Sequence, residues 1–125
     1  MVQTDIPQIS RECNSWREKL RQFKEEITGY KTKLQEVASH SLSKNDMTGV
    51  EHFQNQFHIQ LINVHDLKQA IKMHDRKLQF APATNQDDGL VMDHESLHDQ
   101  YQTQEHTLQD LRSDFNQFIR SVSLH

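Results

Sequence analysis

The residues best suited to chemistry in this chain are histidines, of which it has nine among 125 residues. The sharpest pattern is HESLH at residues 94–98, which fits the motif H-E-x-x-H. On a helix, His94 and His98 lie on one face, where two imidazoles can share a zinc ion while Glu95 serves as a general base. The pattern therefore raises metal binding as a hypothesis, in a catalytic or a non-catalytic form.

The surroundings of this motif oppose the catalytic form. Zincin-type peptidases, which the motif resembles, are larger α/β domains in which a strand edge holds the substrate, whereas this sequence predicts no strand and no clear third ligand. A di-iron centre in a helical bundle needs paired E-x-x-H motifs, and only residues 95–98 fit. The hypothesis that remains is a non-catalytic transition-metal site formed by His74, His94 and His98, with Cys13 within about one helical turn.

A second motif is HDLKQ at residues 65–69. It resembles the H-x-L-K-G segment of histidine-phosphotransfer domains, which are helical bundles of similar length. It also resembles the phosphoacceptor box H-D-L-K-x-P-L of sensor histidine kinases, with Ala70 in place of the proline. The resemblance implies that His65 is a phosphoacceptor and that Lys68, one turn away, contacts the phosphate. Gln69 departs from the phosphotransfer family, whose glycine lets the partner's active site approach.

Other catalytic patterns are absent from the sequence. It has no Gly-rich phosphate loop and no Ser/His/Asp arrangement, and Cys13 occupies a position typical of a small core residue. We therefore expect a protein that is not an enzyme and that carries no obligatory cofactor.

The elements that position these residues follow from apolar spacing. Only five residues are Gly or Pro, and all except Gly29 lie near the edges of long heptad series of apolar residues, which is typical of long helices. The series predict helices over about 8–42, 48–81 and 88–122. We expect an all-α, elongated, antiparallel up-down-up three-helix bundle with coiled-coil seams, forming one domain over residues 1–125.

Local signals predict where these helices begin and end. Pro7 marks the start of the first, and Thr48 followed by Glu51 forms a capping box at the start of the second. Pro82 ends the second helix, and Asp87 or Asp88 caps the third.

Polar residues interrupt the apolar seams at matching heights. When each helix is folded back antiparallel to the preceding one about the middle of its connection, these residues fall into two layers. In each layer a buried polar group gains a partner, and the pairing fixes the register of the bundle. The predicted layers are Tyr30, Gln60 and Gln104, and Trp16, His74 and His94.

Two short segments resemble spectrin-type repeats, which are also built of three antiparallel helices with an early tryptophan. They are SWREKL at residues 15–20 and DMTGV at residues 46–50. The resemblance covers about a dozen residues and implies the architecture alone.

A set of apolar residues lies beside the seams of the second and third helices. It predicts a contact with a protein partner or a second copy of the chain. Its members are Ile59, Ile62, Met73, Phe80, Val91 and Met92.

Charge and composition limit the other partners. The net charge of −4 disfavours sequence-independent nucleic-acid binding, and no apolar run approaches the length of about 18 residues that a membrane span requires. The first helical segment is net basic (+2) and the third is net acidic (−5), which predicts attraction between them. The single cysteine and the polar N-terminus favour a cytoplasmic protein. The leading functional expectation is protein–protein interaction or scaffolding.

Overall fold

A computed structural model describes residues 6–40, 42–80 and 88–123 of the chain, and three helices account for nearly all of them. The helices are α1 (Ile6–Ala38), α2 (Lys44–Phe80) and α3 (Asp88–Ser123). At a rise of about 1.5 Å per residue, each is roughly 50 Å long. They pack against one another in the antiparallel order up-down-up, which confirms the all-α three-helix bundle.

The first helix ends earlier than the predicted residue 42. The amide of Ser39 donates to the carbonyl of Gln35 at 3.1 Å, and the amide of His40 donates to Val37 at 3.2 Å. The hydroxyl of Ser39 also donates to the carbonyl of Glu36 at 2.6 Å. These bonds satisfy carbonyl groups of the last turn and close the helix at Ala38. The first helix begins at Ile6, two residues before the predicted start at residue 8, and Pro7 lies in its first turn.

The capping box predicted at Thr48 is wrong. Helix α2 begins one turn earlier because Ser43 is its N-cap, with the Ser43 hydroxyl accepting a hydrogen bond from the amide of Asp46 at 3.1 Å. Thr48 lies inside the helix, where its hydroxyl donates to the carbonyl of Lys44 at 3.1 Å. The connection between α1 and α2 therefore keeps the predicted length of five residues but lies four residues earlier in the chain, at 39–43 instead of 43–47.

The connection between α2 and α3 agrees with prediction at its edges, since α2 ends at Phe80 and α3 begins at Asp88. The predicted roles of Pro82 and Asp87 lie outside the described residues, as does the side chain of Asp88.

An aromatic cluster fills the end of the core near the start of α2. The rings of Phe53 and Phe57 lie 5.3 and 5.0 Å from that of Phe115, and the ring of Phe118 lies 5.1 Å from Phe53. Tyr30 of α1 completes the cluster, with its ring 5.1 Å from Phe115. Seam residues of all three helices thus meet on one axis, as the heptad spacing requires.

The predicted layer of Tyr30, Gln60 and Gln104 forms only in part. The two glutamines are buried, and Nε2 of Gln104 donates to Oε1 of Gln60 at 2.8 Å. Tyr30 instead packs on the aromatic cluster, and its hydroxyl donates to Glu26 at 3.1 Å. The reason is the earlier start of α2, which shifts its register against α1 by nearly one turn.

A bidentate ion pair between α1 and α3 has charges opposite in sign to the net charges of the two helices. Arg112 of the acidic α3 donates from two guanidinium nitrogens to the two carboxylate oxygens of Glu26 in the basic α1, each at 2.9 Å. This pairing raises the pKa of Arg112. This bidentate contact fixes the relative position of the two side chains where α1 and α3 meet.

Candidate functional site

Three metal-ligating side chains meet inside the bundle, near the end opposite the aromatic cluster. Cys13 comes from α1, His74 from α2 and His94 from α3, and all three are buried. The sulfur and one nitrogen of each imidazole lie within 4.8 Å of one another. Each residue occupies a seam position of its helix, which is why three separate segments converge here. We call this group the Cys–His–His cluster.

The imidazoles of this cluster are short of hydrogen-bond partners. Both ring nitrogens of His74 and the Nδ1 atom of His94 are buried without a partner among the described residues. The two rings stack at a centroid distance of 5.4 Å. Burial, and secondarily the proximity of His94, lowers the pKa of His74, so that its neutral form, with one free lone pair, is favoured.

The remaining nitrogen of His94 is held by a carboxylate. Nε2 of His94 donates to Oε2 of Glu12 at 2.6 Å, and this bond lowers the pKa of Glu12. A carboxylate can only accept, so Nε2 carries a proton, and in the neutral form of the ring the lone pair lies on Nδ1.

The thiol of Cys13 is protonated in this buried setting. Burial raises its pKa to about 11, with smaller contributions from the charges of Asp75 and Glu12. Asp75 is itself buried and accepts a hydrogen bond from the hydroxyl of Ser10 at 2.9 Å. The thiol is therefore a poor nucleophile without a cation beside it.

The structure brings together two of the three histidines of the predicted metal site. His98 is exposed, and its ring stacks on the indole of Trp16 at 5.5 Å, outside the Cys–His–His cluster. A residue four positions along a helix is rotated by about 40°, which carries His98 off the central seam. The predicted layer of Trp16, His74 and His94 forms in part. The ring of His94 stacks on the indole of Trp16 at 4.8 Å and on the ring of His74 at 5.4 Å, while the described residues show no ring contact between Trp16 and His74.

Sequence reasoning missed the contribution of Glu12. Its only sequence signal is its position immediately before the seam residue Cys13, on the edge of α1. Many such edge carboxylates are fully solvated, and the pairing of Glu12 with His94 depends on the register between α1 and α3.

His65, the candidate phosphoacceptor, lies on the surface of α2. Its side chain is exposed, and that of Lys68, one turn further along, is half-buried. Exposure meets the first requirement of a phosphoacceptor, and the phosphotransfer hypothesis stays a prediction.

A line of exposed apolar side chains runs along the outward face of α2. Ile59, Ile62, Met73 and Phe80 are 39, 47, 60 and 86% exposed. Their spacing repeats in steps of three and four residues when the polar positions between them are included, so they share one face over roughly 30 Å. We call this face the outer stripe; its residues are Ile59, Ile62, Asp66, Gln69, Met73, Arg76 and Phe80.

The two predicted surface residues on α3 lie at the same end of the bundle as Phe80. Met92 is 69% exposed, whereas Val91 is half-buried. Met92 therefore adds to the exposed apolar surface at this end, while part of Val91 belongs to the bundle itself.

Comparison of the chain with protein-family models, with curated proteins and with solved structures finds no match. Across residues 6–40, 42–80 and 88–123, no helix combines the length and apolar character needed to cross a membrane.

Proposed function

We propose that this chain is a non-catalytic helical bundle that acts in protein–protein interaction, and that it self-associates through the outer stripe of α2. The observation that carries the proposal is the line of four large apolar side chains, from Ile59 to Phe80, exposed on one helix face. Several large apolar side chains exposed on one face are typical of a protein-binding surface. The spacing of the outer stripe in steps of three and four residues is that of a helix-packing seam.

The order of residues along the outer stripe supports a second copy of the chain as the partner. Ile62 and Phe80 are equidistant from residue 71, and so are Asp66 and Arg76. In an antiparallel pair with a two-fold axis at that height, Ile62 meets the partner subunit's Phe80, and Asp66 meets the partner subunit's Arg76. Such an isologous contact buries apolar groups and pairs opposite charges twice.

The two charged residues are available for this contact. Asp66 and Arg76 are exposed, and neither forms an ion pair within the described part of the chain. In a dimer, each of these charges meets an opposite charge of the partner subunit. Against another protein with a purely apolar surface, both charges would be buried without partners, so the stripe favours a second copy of the chain.

The oligomeric state tests the proposal. Sedimentation equilibrium of the full chain should give twice the monomer mass of 14.8 kDa, and Phe80→Glu should dissociate the dimer because it places a charge against the partner subunit's Ile62. Met47→Glu is the matched control, since Met47 is an exposed apolar residue of α2 outside the outer stripe. A wild-type chain that stays monomeric at high micromolar concentration would contradict self-association.

A charge exchange tests the antiparallel arrangement itself. Asp66→Arg alone should weaken the dimer, because two arginines then face each other at each end of the contact. The double variant Asp66→Arg, Arg76→Asp should restore dimerisation, since it returns opposite charges to each pair. Failure of the double variant to restore the dimer, with both single variants folded, would show that another geometry or partner is used.

The cytoplasm is the compartment that we propose for this role, and the unpaired state of Cys13 supports it. The alternative phosphotransfer role is supported by the exposure of His65. Incubation with a phosphorylated response-regulator domain should then label the wild-type chain and not His65→Ala. Equal labelling of both chains would contradict the role of His65.

A further inference from the structure

We propose that Cys13, His74 and His94 bind one borderline-soft divalent metal ion, with Zn²⁺ as the ion that this donor set suits best. The Cys–His–His cluster is internal and separate from the outer stripe, so the inference does not depend on self-association. It also differs from the site expected from sequence, because Cys13 replaces His98 as the third ligand.

The spacing of the ligand atoms suits a single ion. A tetrahedral ion with bonds of about 2.0–2.3 Å holds its ligand atoms about 3.5 Å apart. The three ligand atoms of the cluster already lie within 4.8 Å of one another. Small rotations of the side chains therefore close the cluster around an ion without moving the helices.

The unpartnered nitrogens are a second and independent indication of a ligand. The side chain of His74 is 4% exposed, yet neither of its ring nitrogens has a hydrogen-bond partner among the described residues. Nδ1 of His94 is also buried without a hydrogen-bond partner among the described residues. Buried polar atoms without partners are rare in folded proteins because each costs desolvation free energy. A metal ion would supply a partner for two of these three atoms by accepting one lone pair from each ring, whereas the N–H of His74 keeps its cost.

Glu12 acts as a positioning residue for this site. Metal-binding histidines commonly donate their second ring nitrogen to a carboxylate, which fixes the tautomer and strengthens the ligand. The hydrogen bond of 2.6 Å from Nε2 of His94 to Glu12 has this arrangement, and it leaves the buried Nδ1 as the nitrogen available to bind an ion. The side chain of Glu12 is partly exposed, whereas the three residues of the cluster are buried.

Binding has a consequence for the whole bundle. The thiol of Cys13 releases its proton to solvent and the thiolate binds the ion, while both imidazoles bind as neutral ligands. Because one ligand comes from each helix, the ion links α1, α2 and α3 at a single point. We therefore expect a structural role in which the metal fixes the register of the three helices.

Cobalt provides a direct test, since Co²⁺ occupies such sites and reports its ligands by absorption. Titration of the untagged, chelator-treated full chain with CoCl₂ should give one equivalent of tightly bound ion, with a thiolate-to-cobalt charge-transfer band. Trp16 is the only tryptophan and its indole stacks on His94 at 4.8 Å, so Co²⁺ should also quench its fluorescence. ZnCl₂ should displace the cobalt and raise the melting temperature.

Variants identify the ligands. Cys13→Ala should abolish the charge-transfer band and weaken zinc binding by at least about tenfold, and Glu12→Gln should weaken it by about 10–100-fold while the band remains. His98→Ala is the matched control and should bind as the wild type does. Absence of the band in the wild type, or loss of binding in His98→Ala but not in Cys13→Ala, would overturn the proposal. The band is read in the unmodified chain, so the test stands even where a variant fails to fold.

Discussion

The buried hydrogen bond between Gln60 and Gln104 gives a quantitative test of how the interior of the bundle is stabilised. Replacing Gln60 with leucine conserves volume and keeps the helix propensity high, yet it leaves the carboxamide of Gln104 buried without its partner. The expected loss is about 1–3 kcal/mol of unfolding free energy, because an orphaned polar group loses its hydration and gains nothing in exchange.

The double variant separates this cost from the value of the bond. With Gln60→Leu and Gln104→Leu together, no polar group is orphaned and two leucines pack in the layer. The net worth of one hydrogen bond is only about 0.5–1.5 kcal/mol, and the leucine pair offsets a loss of that size. The double variant should therefore be about as stable as the wild type. The coupling between the sites then equals the sum of the two single losses, about 2–6 kcal/mol.

Equilibrium unfolding in urea measures this cycle, with all four proteins compared at one concentration. Since self-association raises apparent stability by mass action, the cycle is best carried out in the Phe80→Glu background. A double variant whose loss equals the sum of the two single losses would refute the reasoning. It would show that each glutamine contributes through packing and not through their mutual hydrogen bond.

Two further predictions concern the helix surfaces, and thermal unfolding measures both. Gly29→Ala should stabilise the chain by about 1 kcal/mol, because a Cβ there meets no atom of the described residues within 4 Å. Gly49→Ala should give no such gain, because a Cβ at Gly49 overlaps the ring of Phe118. A larger gain from Gly49→Ala than from Gly29→Ala would contradict this reasoning. Arg112→Lys should lose the bidentate contact with Glu26 at a cost below about 1 kcal/mol, since the arginine is 40% exposed. That cost should shrink in 1 M NaCl, and an effect insensitive to salt would mean that packing and not charge is responsible.

The pairing of α2 with α3 is the part of the interior that the sequence predicts best. Pro82 marks the turn between the heptad seams of α2 and α3. Folding the chain back at this turn pairs Gln60 with Gln104 and His74 with His94, as the structure shows. The prediction succeeded because the ends of both helices were marked clearly, so the register had little freedom.

The pairing of α1 with α2 was less predictable. Residues 39–48 contain several side chains able to cap a helix, and the capping box at Thr48 was a stronger sequence pattern than the lone Ser43 that caps α2. An error of one turn at the cap moved Tyr30 from the glutamine layer to the aromatic cluster. Local capping signals are worth only about 1 kcal/mol, and the packing of a long seam overrides them.

The sequence by itself determined three helices, their inward faces and the presence of histidines on two of those faces, because heptad spacing is a property of each helix alone. Only the tertiary structure decided which third metal-ligating side chain lies beside His74 and His94. That choice depends on the height and rotation of α1 against the other two helices, which no single segment encodes. It placed Cys13 in the cluster and Glu12 behind His94, and it left His98 on the surface against Trp16.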